Sequence, residues 1–329
     1  MIMITSSSIA RATILGVALG FVLSPKAVEA QAVNIDLAST ASLYPQFYPL
    51  AVAEELGYFK SEGINVKELA TSGGGATVAP VISGDTPLGL VSMSASILAK
   101  LRGAPIKVIS GASPNFLSTI VYAVHADSDI KRMSDLAGKK AKMGYTSGGS
   151  ITDTASAVAV RAEGLRDGVD VQRVALGSMQ AATAALLTRQ IDVEVANVNA
   201  VASYVVKGMV RIVADNSDYM KNYEANAIIV NTAYLEKNRD AVRRFLRAYS
   251  KGTEYGNANK EWVQKLYAKR AGVAPEAASI ILQKLSWTTA LNYDGFVNQL
   301  NLMKENGEVK RDVDAKQLYD QLVDLTLLP

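Results

Sequence analysis

The sequence predicts an α/β protein of two lobes with a helical carboxy-terminal segment. Three observations lead there. Short apolar runs alternate with helical patterns of about ten residues, the mark of βαβ units around a mostly parallel sheet. The alternation halts at a small-residue, proline-containing stretch, Ser110–Asn115, and then starts again. After the strand-like NAIIVN at 226–231 the chain is helical to its end.

The first series begins at residue 33. VNIDLAST reads as a strand, QFYPLAVAEELG as a helix closed by Gly57, and INVKELA as a strand. GGATVAPVIS is a helix despite Pro80, which removes one backbone donor. The strand TPLGLVS, the helix SASILAKLRG and the strand PIKVISGA complete the series. The second series opens with the strand STIVYAVH. A short helix over SDLAGK, capped by Ser134, precedes the strand KAKMGYT. A helix from Ser150 to about Glu163, VDVQRVAL, SMQAATAALLTRQ, IDVEVAN, NAVASYVVKG and MVRIVAD then alternate as helix and strand. The polar stretch Asp215–Asn226 leads back to NAIIVN. Crossovers are therefore expected near 110–115 and 215–226. They leave a first lobe of 33–112 plus 226–329 and a second lobe of 116–220. In the tail, Val242, Phe245, Leu246 and Tyr249 fall at i, i+3, i+4 and i+7, one apolar stripe. Arg243, Arg244 and Arg247 are then a solvated face.

The 329 residues are 49% hydrophobic and 20% charged, enough for an extensive core. The net charge is +3, from 34 basic and 31 acidic residues, with no basic block, so nucleic acid is not an expected partner. Cysteine is absent and His125 is the single histidine. Disulfides, thiol catalysis and thiolate metal sites are excluded, and a zinc site or a His-based triad lacks its usual groups. No cofactor is expected. At the amino terminus Arg11 precedes the apolar run ATILGVALGFVL, and Val28-Glu29-Ala30 places small residues around a cleavage site. Residues 1–30 read as a signal peptide cut near Ala30. No cysteine follows to take a lipid, so an exported, unanchored protein is expected.

Candidate chemistry lies in strand-to-helix turns. Thr146-Ser147-Gly148-Gly149-Ser150 ends a strand and opens a helix. Helix amino ends carry unpaired amides and partial positive charge, glycines let a ligand approach the backbone, and serines add donors. Such a turn suits a polar or anionic group, or is a plain helix cap. It lacks the lysine of a phosphate loop. Similar turns recur at Thr71–Gly75, at Ser92-Met93-Ser94 and at Ser42-Leu43-Tyr44, with Phe47 just beyond. In open α/β sheets ligands sit beyond the carboxyl ends of strands, so four such turns in two lobes suggest a shared cleft.

YPLAVAEELGYFKSEGINV resembles a hallmark of the solute-binding proteins of nitrate/sulfonate/taurine-type ABC importers. MSDLAGKKAKMGYTSGG is similar to that family's entry into its second lobe, and LLTRQIDVEVA to a later segment. The resemblance spans roughly residues 35–330. It implies a type II periplasmic-binding-protein fold, with a ligand cleft between two α/β lobes and delivery to a membrane permease. Position by position it implies ligand contacts from Ser42, Tyr44, Phe47, Ser72, Gly73, Gly74, Ser92, Met93, Ser94 and Ser113. From the second lobe it implies Thr146, Ser147, Gly148, Gly149, Ser150, Asn197 and Asn199, and from the returning strand Asn226. The sequence departs from the family at Gln190, Glu194 and Asn197, on the second lobe's wall.

The expected function is capture of a small anion by a periplasmic, monomeric binding protein: a sulfonate, nitrate-like ion or carboxylate, with room for an aromatic one at Tyr44 and Phe47. A neutral heterocycle such as a thiamine-type pyrimidine is the alternative, because Ser and Asn hydrogen-bond either kind. A ligand-sensing partner of a membrane receptor shares the fold. An enzyme is the poorest reading, with no G-x-S-x-G and no second histidine. His125, the Asp127/Asp129 pair, Glu54-Glu55, Trp287 and Tyr293 are read as structural or solvated rather than catalytic.

Overall fold

The computed structural model describes residues 32–39, 44–71, 74–148 and 150–329. The expected signal peptide lies outside the described residues, as do Ser42, Ser72, Gly73 and Gly149. Residues 32–329 form one compact unit. None of the described helices is long and apolar enough to cross a membrane.

The first series contains β1 (Val33–Ser39), α1 (Pro49–Glu55), α2 (Tyr58–Ser61), β2 (Ile64–Ala70), α3 (Gly74–Ser83), β3 (Leu88–Ser92), α4 (Met93–Leu101) and β4 (Ile106–Ser110). The second contains β5 (Ile120–His125), β6 (Ala141–Tyr145), α5 (Ile151–Ala162), β7 (Val171–Ala175), α6 (Met179–Leu187), β8 (Val193–Asn197), α7 (Val198–Val206) and β9 (Val210–Asp215). The return strand β10 (Asn226–Asn231) is followed by α8 (Thr232–Lys237), α9 (Arg239–Ala258), α10 (Lys260–Ala271), α11 (Pro275–Leu282), α12 (Tyr293–Glu305) and α13 (Ala315–Leu322).

Two five-stranded sheets result, ordered β2-β1-β3-β10-β4 and β7-β6-β8-β5-β9. The two orders follow one rule. Each series forms parallel pairs around its first complete βαβ unit, and the strand arriving from the other sheet inserts next to last. That arriving strand, β10 or β5, is antiparallel to both neighbours. Its amino end therefore lies beside the carboxyl end of a parallel strand: Asn226 pairs with Ser92, and Ile120 with Asn197.

Both faces of each sheet are covered, which is why the central strands are apolar without alternation. All six residues of β10 are buried. Its Ile228 and Val230 join α1 and α9 residues on one side, while Ala227 and Ile229 join α3, α4, α12 and α13 on the other. The α9 stripe of Val242, Phe245, Leu246 and Tyr249 has no exposed surface, and Phe59 stacks on Phe245 with centroids 5.3 Å apart. The second sheet packs α5 on one face and α6 and α7 on the other. α10 and α11, expected in the first lobe, add Tyr267, Ile281 and Leu282 to the cluster around α7. Tyr48 of the first series meets Tyr267 there, with centroids 5.1 Å apart.

Local details differ from the sequence expectation. Gly57 does not simply close one helix. Its left-handed φ of 70° swings the chain into a second short helix, α2. The expected helix capped by Ser134 is one 3-10 turn, Met133–Leu136. Asp135 caps it, accepting from the amides of Lys131 (2.8 Å) and Arg132 (3.2 Å). The α9 arginines do more than face solvent. Arg244 donates to the carbonyl of Glu62 (3.1 Å), while Arg247 and Lys251 both grip the Glu62 carboxylate (2.9 Å each), pinning the turn before β2.

Two chain segments, 111–119 and 216–225, join the sheets, and the stretch 284–295 straps across both. Gly111 donates to the carbonyl of Thr289 (2.9 Å) and Thr288 to that of Ala112 (2.9 Å). A Cβ on Gly111 would collide with the carbonyl oxygen of Ala290. Lys284 pairs with the buried Asp215, and Glu224 donates its amide to Gly295 (3.1 Å).

Candidate ligand cleft

A cleft of about 890 Å³ opens where the carboxyl ends of β3 and β8 meet the amino ends of β10 and β5. Ser92 caps α4 and Asn197 caps α7, each accepting from an amide of its own first turn. Met179 and Gln180 bring the start of α6, and Ile151 the start of α5. Four helix amino ends thus border one space, and their dipoles favour electron-rich atoms of a guest. The walls are apolar and aromatic: Tyr44, Phe47, Phe116, Tyr267, Leu90 and Ile281.

Seven of the residues expected in the site line this cleft: Tyr44, Phe47, Ser92, Ser94, Asn197, Asn199 and Asn226. Ser42, Ser72, Gly73 and Gly149 lie outside the described residues, and Gly74 is the first residue of α3. Met93 is fully buried in the core of the first sheet, not in the cleft lining. Ser113 is buried at the crossover, donating to Asn115 Oδ1 (3.2 Å). Thr146, Ser147, Gly148 and Ser150 are also absent from the lining. Their hydroxyls serve each other: Thr146 Oγ1 meets Ser150 Oγ (2.9 Å) and Thr152 Oγ1 (2.8 Å), and Thr152 Oγ1 accepts from the Thr146 amide (3.0 Å). Ser147 and Gly148 are exposed.

Sequence reasoning missed Gln46, Phe116, Met179, Gln180, Tyr267 and Gln299, all of which line the cleft. No local motif marks them, because five separate segments supply them. Gln46 is the most informative. It sits in a 3-10 turn, Pro45–Phe47, held by the Trp287 indole, whose Nε1 donates to the Pro45 carbonyl (2.7 Å). Gln46 is 5% exposed and its Oε1 has no partner. Asn226, also 5% exposed, has an unpartnered Nδ2. Buried polar atoms are nearly always paired, so these two cleft-lining amides, whichever way round they sit, are candidate partners for a guest.

Among the described lining residues none is charged. The carboxyl of Glu194 on β8 is fully buried outside the lining, and burial pushes it from its ordinary 4.5 up to about 7. Thr183 Oγ1 donates to its Oε1 (2.8 Å), and its Oε2 has no partner. Glu224, accepting from the Asn292 amide (3.1 Å), is likewise pushed to about 7 by burial. Other charged groups singled out in the sequence are paired. Arg270 bridges Glu54 (2.8 Å) and Glu55 (2.7 Å), Arg189 and His125 hold Asp127, and Lys139 holds Asp129. Among the described residues no cluster of His, Cys, Asp or Glu could hold a metal.

Residues 44–261, more than half of the chain, match the sequence profile of the NMT1/THI5-like family. The chain belongs to that family. YtlA of Bacillus subtilis (strain 168), to which a binding role is ascribed, is 22% identical over 292 residues, covering 84% of each chain. Among solved structures, the periplasmic aliphatic sulphonate binding protein SsuA of Escherichia coli superimposes with a TM-score of 0.70. It is 22% identical, over 86% of this chain and 91% of its own. The periplasmic nitrate-binding protein NrtA of Synechocystis PCC 6803 gives 0.72 at 15% identity, over 90% and 87%. The fold of this NMT1/THI5-like chain is thus that of the periplasmic binding proteins. SsuA and NrtA are described as binding proteins, and YtlA carries the same ascription.

Proposed function

We propose that this chain is the solute-binding component of an ABC importer, exported to the periplasm, that captures a small organic solute in the cleft and delivers it unaltered to a membrane permease. The observation that carries this reading is the cleft itself. Its lining draws on the carboxyl end of a parallel strand and on a returning strand in each sheet. A solute there contacts groups of both sheets and favours any arrangement that brings them closer. The sheets act as lobes, with 33–112 plus 226–259 and 293–329 around one and 116–220 around the other. Segments 111–119 and 216–225 serve as the hinge. α10 and α11 travel with the second sheet through their contacts with α7. An anion, the guest the family resemblance favours, gains from the four helix ends but meets no lysine or arginine in the described lining.

A thermal-shift screen over sulfonates, nitrate, aromatic acids, amides and heterocycles tests the reading, with mass spectrometry of the recovered solute. A ligand that raises Tm and is returned intact supports it. Turnover of the ligand, or no stabilisation by any class, contradicts it.

A further inference from the structure

The hinge and one wall of the cleft share a side chain. Resting on the solute-binding reading above, we propose that Trp287 is a positioning residue that couples the two, so that a guest settling on the Pro45–Phe47 turn biases the hinge through the indole and the strap. Three observations carry this.

The first is what the indole touches. Trp287 Nε1 donates to the Pro45 carbonyl (2.7 Å), and the next two residues, Gln46 and Phe47, line the cleft. The bond is buried, so no water stands ready to replace it, and turn and indole move together.

The second is how firmly Trp287 is held. Asn257, near the end of α9, donates to the Trp287 carbonyl (2.8 Å) and accepts from its amide (3.0 Å). A backbone N–H only donates and a carbonyl only accepts, so this side-chain amide fits one way round. Gly256 gives the ring its room, since a Cβ there would lie 3.4 Å from Cε3 and Cζ3. Lys260 Nζ lies 4.1 Å from the ring centroid, a cation–π contact. Held by backbone and by ring, the indole is a strut rather than a freely turning side chain.

The third is where its neighbours go. Ser286 donates its amide to Asn115 Oδ1 (3.0 Å), and Thr288 donates its amide to the Ala112 carbonyl (2.9 Å). Asn115 Nδ2 donates to the Lys284 carbonyl, so backbone partners fix this amide's orientation as well. The Lys284 ammonium pairs with Asp215, where the second joining segment begins. The residues on either side of Trp287 are thus bonded to segment 111–119, and the same strap reaches segment 216–225. Phe116 meets the guest directly from the hinge, whereas Asn115 is not part of the lining. The strut adds a second route, from the Pro45–Phe47 turn. Coupling of this kind is reciprocal: a guest that favours one position of the turn favours, by the same amount, the hinge arrangement bonded to it.

The coupling is a property of the free protein. Its test needs no ligand, and its failure leaves the solute-binding reading standing. Hydrogen exchange with mass spectrometry follows the Phe47 and Tyr48 amides, which donate to the Tyr44 (3.0 Å) and Pro45 (3.3 Å) carbonyls. Asn115→Ala cuts the strap from the hinge. It should quicken exchange in peptides spanning 44–48 by about fivefold or more, while β6 and β7 change by less than about twofold. In a Trp287→Phe background, which lacks the donor to Pro45, the same substitution should change exchange at 44–48 by less than about twofold. Unchanged exchange at 44–48 in Asn115→Ala overturns the proposal. So does an equal quickening throughout the chain, which makes Asn115 merely structural. So does an equal effect with and without the indole. If Asn115→Ala does not fold, Asn115→Asp takes its place under the same criteria, keeping the acceptor for Ser286 and losing the donor to Lys284.

Discussion

The turn Thr146–Thr152 and the wall formed by Gln46 and Asn226 make opposite use of polar side chains. The turn is rich in hydroxyls and looks in sequence like a receptor. In the fold it is closed on itself: Thr146, Ser150 and Thr152 satisfy one another, and only Ile151 reaches the cleft. The wall offers two amides far apart in sequence, Gln46 between Pro45 and Phe47 and Asn226 between Ala225 and Ala227. Both amides are buried in the lining and each has an atom without a partner. Local hydroxyls compete for nearby backbone and for each other, so a dense polar turn tends to stabilise itself. Availability for a ligand is set by what has been left unpaired.

That contrast can be broken or sharpened by substitution. The largest effect is expected at Trp287, which is 3% exposed and supports the wall through the Pro45 carbonyl. Trp287→Ala should lower stability by about 3–5 kcal/mol in urea unfolding and also lower affinity for any cleft ligand. Intact affinity would separate the wall from its support. Next, Thr146→Val should cost about 1–2 kcal/mol through the unpaired partners it leaves, yet change ligand affinity by less than about threefold. Asn226→Leu should do the reverse, with affinity falling by about tenfold and unfolding unchanged. If both variants behave alike, the distinction between the two regions fails.

A smaller effect is expected at Glu194 of the second sheet. Its carboxyl holds a proton more tightly folded than unfolded, at about 7 against 4.5. Its contribution is therefore fully present below about pH 4.5 and is lost as pH rises towards 7. Glu194→Gln keeps an acceptor for Thr183 and cannot ionise. It should match the parent at pH 4 and be more stable at pH 8, by on the order of 3 kcal/mol. Equal stability at pH 8 would show that water or a counter-charge reaches the carboxylate. The smallest effect is expected at the exposed Ser147, where Ser147→Asp should change stability by about 0.5 kcal/mol or less and affinity within about threefold. A larger loss of affinity would return the turn to the site.

Much of this molecule is legible in its sequence because its strands and helices are short and sharply punctuated. INVKELA and GGATVAPVIS coincide with β2 and α3, and the α9 stripe is buried where its spacing places it. Antiparallel β5 and β10 are not legible, since strand direction within a sheet is a property of the crossover rather than of the strand. Nor is the partner of α10 and α11, because an apolar stripe says that a face is covered and not by what. Ser92, Asn197 and Asn226, which flank strand ends and are expected from the sequence, line the cleft. Gln46 and Gln180 also line it but carry no sequence signal, because what sets them apart is a missing partner or a meeting with distant segments. Only the assembled structure reveals either.

The most direct measurement is a crystal structure with the tightest ligand from the screen. The account predicts density in the cleft, touching Gln46 and Asn226 from the first sheet's side and Asn197 or Phe116 from the second. Density confined to one sheet's residues would contradict it. So would density in the separate groove of about 420 Å³ between α3 and α4, lined by Val78, Ile82, Leu98 and Pro105.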